Sequence, residues 1–139
     1  MSLISVIIPA YNAELTIEET IAAVREQTVT NFELIIIDDG STDRTVETVN
    51  KIEDSRIRLL SYQNEGLPTA RNRGIENASG EYIAFLDADD LWTKDKLEKQ
   101  LAMLETNPEA GVAYSQTCYI DEFANRSTTA IWFVLKAMC

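Results

Sequence analysis

Histidine is missing from the 139 residues altogether. Without it the chain has no Ser-His-Asp triad, no imidazole general base and no His-ligated metal, so any metal must sit on oxygen. Cysteine is nearly as scarce. Cys118 and Cys139 are too far apart for a CxxC redox pair and too few for a Cys-only zinc site, and they read as ordinary reduced thiols. Positive charge is also short: 12 Lys and Arg stand against 23 Asp and Glu, a net charge of -11. That balance argues against sequence-independent nucleic-acid binding, which neutralises phosphates with Lys and Arg. No run of about 18 apolar residues occurs, and no basic segment leads into an apolar run at the N-terminus. The expected location is therefore cytoplasmic. Gly (five) and Pro (three) are sparse, and no repeat, linker or low-complexity stretch interrupts the chain.

What remains, 45% of it hydrophobic, suits one globular domain, which at this length buries roughly two-thirds of its unfolded surface. Leu3 to Pro9 is an apolar, β-branched run without clean alternation, the pattern of a strand buried on both faces and ended by Pro9. Thr16-Ile17-Glu18-Glu19 reads as a capping box for a helix to about Gln27, with Ile17, Ile21 and Val24 at helical spacing. Phe32 to Ile37 is a second buried strand, after which Ser41 or Thr42 can cap a helix carrying Val46 and Val49.

A third strand spans Ile57 to Tyr62, and a third helix Ala70 to Ala78, closed by Ser79-Gly80. Tyr82 to Leu86 is a fourth strand; Thr93 can cap a fourth helix that stops before Asn107-Pro108. A fifth strand begins near Gly111. The alternation predicts an α/β fold, a mostly parallel sheet with helices on both faces.

In such a fold, ligands gather at the carboxyl ends of the strands. Two acidic clusters fall there, Asp38-Asp39 and Asp87-Ala88-Asp89-Asp90, and such clusters repel each other unless a cation or donor-rich ligand compensates. In an extended segment residues i and i+2 point to one side, so Asp87 and Asp89 can reach one hard cation, Mg2+ or Mn2+. A metal held by so few carboxylates keeps positions for water and substrate phosphates, which points to a diphosphate. A solvated loop with a helix cap would look the same as a bare tripeptide; its position directly after a buried strand favours the metal. Asp39 reads equally as a turn residue and as an acceptor for a base or ribose. Arg71, with Arg73 beside it, is a phosphate fork or a surface ion pair. Tyr11 either stacks on a base or packs.

Together these segments resemble the nucleotide-binding part of family 2 glycosyltransferases with the GT-A fold. The resemblance rests on Val6 to Asn12, Phe32 to Asp43, Asn64-Glu65-Gly66, Ala70 to Gly74 and Gly80 to Asp90, in that order and spacing, over roughly residues 3 to 120. It implies a core at 1–120 that binds a nucleoside-diphosphate-sugar, and an acceptor-side or truncated region at 121–139. It implies that Pro9, Ala10, Tyr11, Asn12, Asp39, Arg71, Asp87 and Ala88 bind the nucleotide sugar, with Asp39 accepting from a base, usually uracil. Asp89, with Asp87, would hold a divalent Mn2+ or Mg2+ ion bridging the diphosphate. The implied reaction is inverting sugar transfer to an acceptor hydroxyl in glycan or cell-envelope polysaccharide synthesis. Its acceptor would be a glycan or lipid-linked precursor, which would place the protein near the inner membrane face.

The family's carboxylate base lies downstream of the metal motif. Asp121 and Glu122 resemble a loop more than that base, so no catalytic base is assigned. Ala130 to Cys139, with Ile131, Trp132, Phe133 and Leu135, reads as the start of a helix or as a self-association patch for a homo-oligomer. A response-regulator receiver and a haloacid-dehalogenase-type phosphatase would both carry their acids after the first strand, and a dinucleotide-binding domain would carry GxGxxG there. This chain has Pro9-Ala10-Tyr11-Asn12 instead. The surviving rival is a non-catalytic nucleotide-sugar-binding or assembly module.

Overall fold

The computed structural model describes residues 2–120 and the backbone of 126–136. Strands β1 (Ile4–Ala10), β2 (Phe32–Asp38), β3 (Ile57–Ser61) and β4 (Tyr82–Phe85) alternate with helices α1 (Ile17–Arg25), α2 (Thr45–Asn50) and α3 (Leu67–Glu76). Helix α4 (Lys96–Thr106) and strands β5 (Val112–Ile120) and β6 (Arg126–Lys136) follow. The six strands form one sheet in the order β3-β2-β1-β4-β6-β5. The first four are parallel, and β6 runs antiparallel to both β4 and β5.

Every residue of β1 is buried, as its unbroken apolar run requires. Alternate residues serve opposite faces. Ile4, Val6 and Ile8 pack with Leu34 and Ile36 against Ile17, Ile21 and Val24 of α1, Val49 of α2 and Leu97, Leu101 and Leu104 of α4. On the other face Ile35 and Ile37 meet Ala70 of α3. Helices thus cover both faces, and the expected α/β architecture stands.

Several local expectations need correction. Pro9 does not end β1, which continues to Ala10 in register with Asp38. The reason lies in direction. Leu86 N–H donates to the Ile7 carbonyl, so by alternation Pro9 also faces β4, beyond the last pair Ile7–Phe85, where no ladder N–H is needed. Thr16 makes no side-chain cap bond to α1; its hydroxyl donates to the Ala88 carbonyl at 2.9 Å. Neither Ser41 nor Thr42 caps α2, which starts at Thr45, because both belong to a loop tied to Asn12. Helix α3 starts three residues earlier than expected, using Pro68 in its first turn, and ends at Glu76 before Ser79-Gly80. Asp95, not Thr93, precedes α4.

The apolar tail is not the start of a helix. Residues 126–136 are a strand with partners on both sides, pairing Ala84 with Val134 and Ala113 with Val134. Asp121 and Glu122 lie outside the described residues, as do 137–139. Among the described residues no helix is long and apolar enough to cross a membrane.

Candidate functional site

The chain runs outward from β1 to β2 to β3, then returns to place β4 on the other side of β1. The carboxyl ends of β1 and β4 therefore flank a topological switch point, where open α/β sheets bind ligands. A cavity of about 450 Å³ opens there. Its walls come from the end of β1 and the loop after it (Pro9, Tyr11, Asn12), the start of α3 (Leu67) and the loop after β4 (Asp87, Ala88, Asp89). A smaller hollow of about 120 Å³ lies beside α2. Its charged residues are occupied with one another, in the pairs Arg44–Glu14 and Lys51–Glu47.

Side-chain to backbone bonds hold the β1 loop. Asn12 adopts a positive φ of 47°, a conformation Asn tolerates better than most residues. Its Oδ1 accepts from Thr42 N at 2.8 Å, while its own N–H donates to Ser41 Oγ at 3.0 Å. Ala13 N–H donates to Thr45 Oγ1 at 2.8 Å. The β1 and β2 loops are thus zipped together, and Tyr11, 52% exposed, is held at the cavity's edge.

Asp39 occupies a different place. It is 4% exposed, and its two carboxylate oxygens accept backbone N–H bonds from Glu65 at 3.0 Å and Gly66 at 2.9 Å. Asn64 Nδ2 donates to the Asp39 carbonyl, and Arg73 lies 3.9 Å from its Oδ1. The loop after β3 is built around this carboxylate. Gly40 makes the approach possible: at φ 76° a Cβ would stand 2.8 Å from Asn64 N.

The acidic loop after β4 has its own fixed frame. Arg71 of α3 donates from Nη2 to Asp87 Oδ1 at 3.0 Å, so this Arg turns inward to the acids. Its Nε is buried with no partner among the described residues. Asp89 is exposed and lines the cavity. Burial, then the negative charges of Asp89 and Asp87, push the Asp90 carboxyl up to about 6. From α1, the hydroxyls of Thr16 and Thr20 lie 2.9 and 3.0 Å from the Ala88 carbonyl oxygen.

Six of the residues expected from the sequence thus line one cavity: Pro9, Tyr11, Asn12, Asp87, Ala88 and Asp89. Ala10 lies beneath it in the core, Arg71 reaches it through Asp87, and Asp39 stands behind the β3 loop. Thr16 and Thr20 went unrecognised. Their signal was present, since Thr20 interrupts the apolar stripe Ile17, Ile21, Val24 and is fully buried; a buried hydroxyl demands a partner.

Among the described residues no three His, Cys, Asp or Glu side chains are grouped to hold a metal by themselves. The donor set nevertheless fits a hard divalent cation completed by phosphate oxygens and water. The segment is not the extended stretch expected but a turn, closed by Asp90 N–H donating to the Asp87 carbonyl at 3.1 Å; Asp87 and Asp89 still both line the one cavity.

A family model described as glycosyl transferase family 2 matches residues 5–136. The chain belongs to this family. It is 47% identical over 106 residues to an Escherichia coli protein named UDP-Glc:alpha-D-GlcNAc-diphosphoundecaprenol beta-1,3-glucosyltransferase WfgD, covering 76% of this chain and 42% of that one. Staphylococcus aureus TarS 1-349, solved in complex with UDP-GlcNAc, superposes with a TM-score of 0.73 at 32% identity, over 81% of this chain and 33% of that one. Mannosyltransferase PcManGT from Pyrobaculum calidifontis, solved with GDP-Man and Mn2+, gives a TM-score of 0.74 at 30% identity, over 78% and 34%. The family 2 fold here is therefore the GT-A fold of those enzymes. This family 2 chain spans between 17% and 46% of the length of the curated relatives it matches.

Proposed function

We propose that this chain is the donor-binding core of a glycosyltransferase that takes a sugar from a nucleoside diphosphate, uridine diphosphate first, to an acceptor hydroxyl. The observation that carries this reading is the switch-point cavity, with Tyr11 on one wall and Asp87 and Asp89 on the other. A base lies against the Tyr11 ring and the diphosphate extends toward the two carboxylates. The Asp39 oxygens each keep a second lone pair beyond their backbone bonds, and a uracil imide N–H donates there. Arg71 holds Asp87 in place.

Asp89 and Asp87 would hold a divalent ion, which would supply positive charge beside the departing diphosphate. In the transfer, the bond between the anomeric carbon and the diphosphate oxygen breaks as the acceptor oxygen bonds that carbon from the opposite side. The acceptor's proton passes to a carboxylate base. No described residue is assigned that role. The name of the E. coli relative, an undecaprenol-diphosphate-linked glucosyltransferase, supports a lipid-linked glycan acceptor in cell-envelope polysaccharide synthesis. Such an acceptor would bring the protein to the inner membrane face.

A thermal-shift panel tests the donor site. With Mn2+ present, UDP and UDP-sugars raise the melting temperature more than GDP or ADP do. A larger shift with GDP would reassign the base, and no shift with any nucleoside diphosphate would overturn the donor site.

A further inference from the structure

Threonine hydroxyls inside a helix ordinarily bond back to a carbonyl of their own helix. Those of Thr16 and Thr20, at the start and in the first turn of α1, do otherwise. Both reach the Ala88 carbonyl, at 2.9 and 3.0 Å, across 72 and 68 residues of sequence, and Thr20 Oγ1 also stands 2.9 Å from the Asp90 carbonyl. Thr20 is completely buried. Further along the same side of the molecule, Gln27 Nε2 donates to the Thr93 carbonyl at 2.7 Å and Gln27 Oε1 accepts from Leu97 N–H at 3.1 Å. Thr28 N–H donates to the Lys94 carbonyl. The acidic loop is therefore pinned at its beginning and at its end by α1 and the residues just after it.

We infer that Thr16 and Thr20 are positioning residues for the acidic loop, holding the Ala88 peptide so that Asp87 and Asp89 present their carboxylates together to one cation–diphosphate group. The inference rests on the donor-site reading above. Ala88 packs against the core at the cavity wall, between Asp87 and Asp89. Thr16 donates to the Ala88 carbonyl and the single Thr20 proton is shared between the Ala88 and Asp90 carbonyls, which fixes the plane of the peptide that carries Asp89. Asp89 is exposed, and the peptide plane sets the direction in which its Cβ leaves the backbone.

Thr20→Val keeps the volume and branching and removes the hydroxyl; Thr20→Ser keeps the hydroxyl and removes a methyl. Calorimetric titration of UDP with and without Mn2+ is run on wild type and both variants, together with amide exchange of residues 88–91. The expected result for Thr20→Val is a loss of about tenfold in Mn2+-supported affinity with metal-free affinity unchanged, and faster exchange confined to the acidic loop. Thr20→Ser stays close to wild type. Two results overturn the inference: Thr20→Val matching wild type in both readouts, or Thr20→Ser falling as far as Thr20→Val. Should Thr20→Val not fold, Thr16→Val, which leaves one of the two hydroxyls, is read by the same criteria against an expected smaller loss. A wild type that binds no UDP with or without Mn2+ overturns instead the donor-site reading.

Discussion

Lys96 shows how one residue can set the stability of the element that carries it. It is buried in α4, with its ammonium 2.7 Å from Gln100 Oε1 and 4.6 Å from the centre of the Trp92 ring. No carboxylate among the described residues pairs with it, and burial pulls its pKa down to about 8. The folded state therefore releases this proton more readily than the unfolded state. Between about pH 8 and the unfolded value of 10.5 the unfolded chain binds more protons, so stability rises with pH across that window. Relative to Lys96→Met, wild type should gain on the order of 3 kcal/mol over the window. Urea unfolding at pH 7.5 and pH 10 measures it; parallel behaviour of the two proteins would refute it. Asp39 gives the opposite case, a buried carboxylate whose two oxygens each accept a backbone N–H. Asp39→Asn replaces one of two acceptors for the Glu65 and Gly66 N–H groups with a donor, and should cost about 2–3 kcal/mol in urea unfolding. A cost under about 0.5 kcal/mol would mean that the β3 loop does not depend on this carboxylate.

At the scale of elements, α3 shows the limit of propensity. Gly74 lies inside this helix, where alanine normally adds about 0.5–1 kcal/mol. Here a Cβ would stand 2.3 Å from Cγ2 of Ile7, itself fully buried in β1. Gly74→Ala should instead destabilise by about 1–3 kcal/mol. Adding Ile7→Ala should make the pair less costly than the sum of the single changes, as a double-mutant cycle would detect. Additive effects would contradict the close contact.

Strands β1 to β4 and the four helices were legible because their apolar runs and helical spacing report burial directly. Helix starts were less so. Thr16, Ser41 and Thr42 look like caps in any local window, yet their side chains bond to distant loops, and only tertiary structure selects among such partners. The tail could not be typed for a similar reason. A continuous apolar run fits a buried strand or a helix equally, and only the antiparallel pairing with β4 and β5 decides. The site residues after β1 and β4 were legible because strand ends can be found by pattern and a parallel sheet brings those ends to one edge. Thr20 was missed because nothing local says where a buried hydroxyl points.

On the scale of the whole molecule, the net charge of -11 is not spread evenly in its consequences. Some acids elsewhere are taken up in pairs such as Arg56–Asp54 and Lys99–Asp95, whereas the three acids of Asp87-Ala88-Asp89-Asp90 share Arg71 alone among the described ion pairs. The sheet order puts that excess at the switch point, facing Tyr11. At this edge, in the function proposed, a nucleoside diphosphate binds through a metal held by Asp89. Calorimetric titration of UDP into wild type and Asp89→Ala, each with and without Mn2+, tests it most directly. Asp89 is exposed, so its removal should leave the fold intact. The expected result is that Mn2+ tightens UDP binding about tenfold or more in wild type and not in Asp89→Ala. Equal UDP affinity with and without Mn2+ in wild type, or Mn2+-dependent binding that survives in Asp89→Ala, would contradict it.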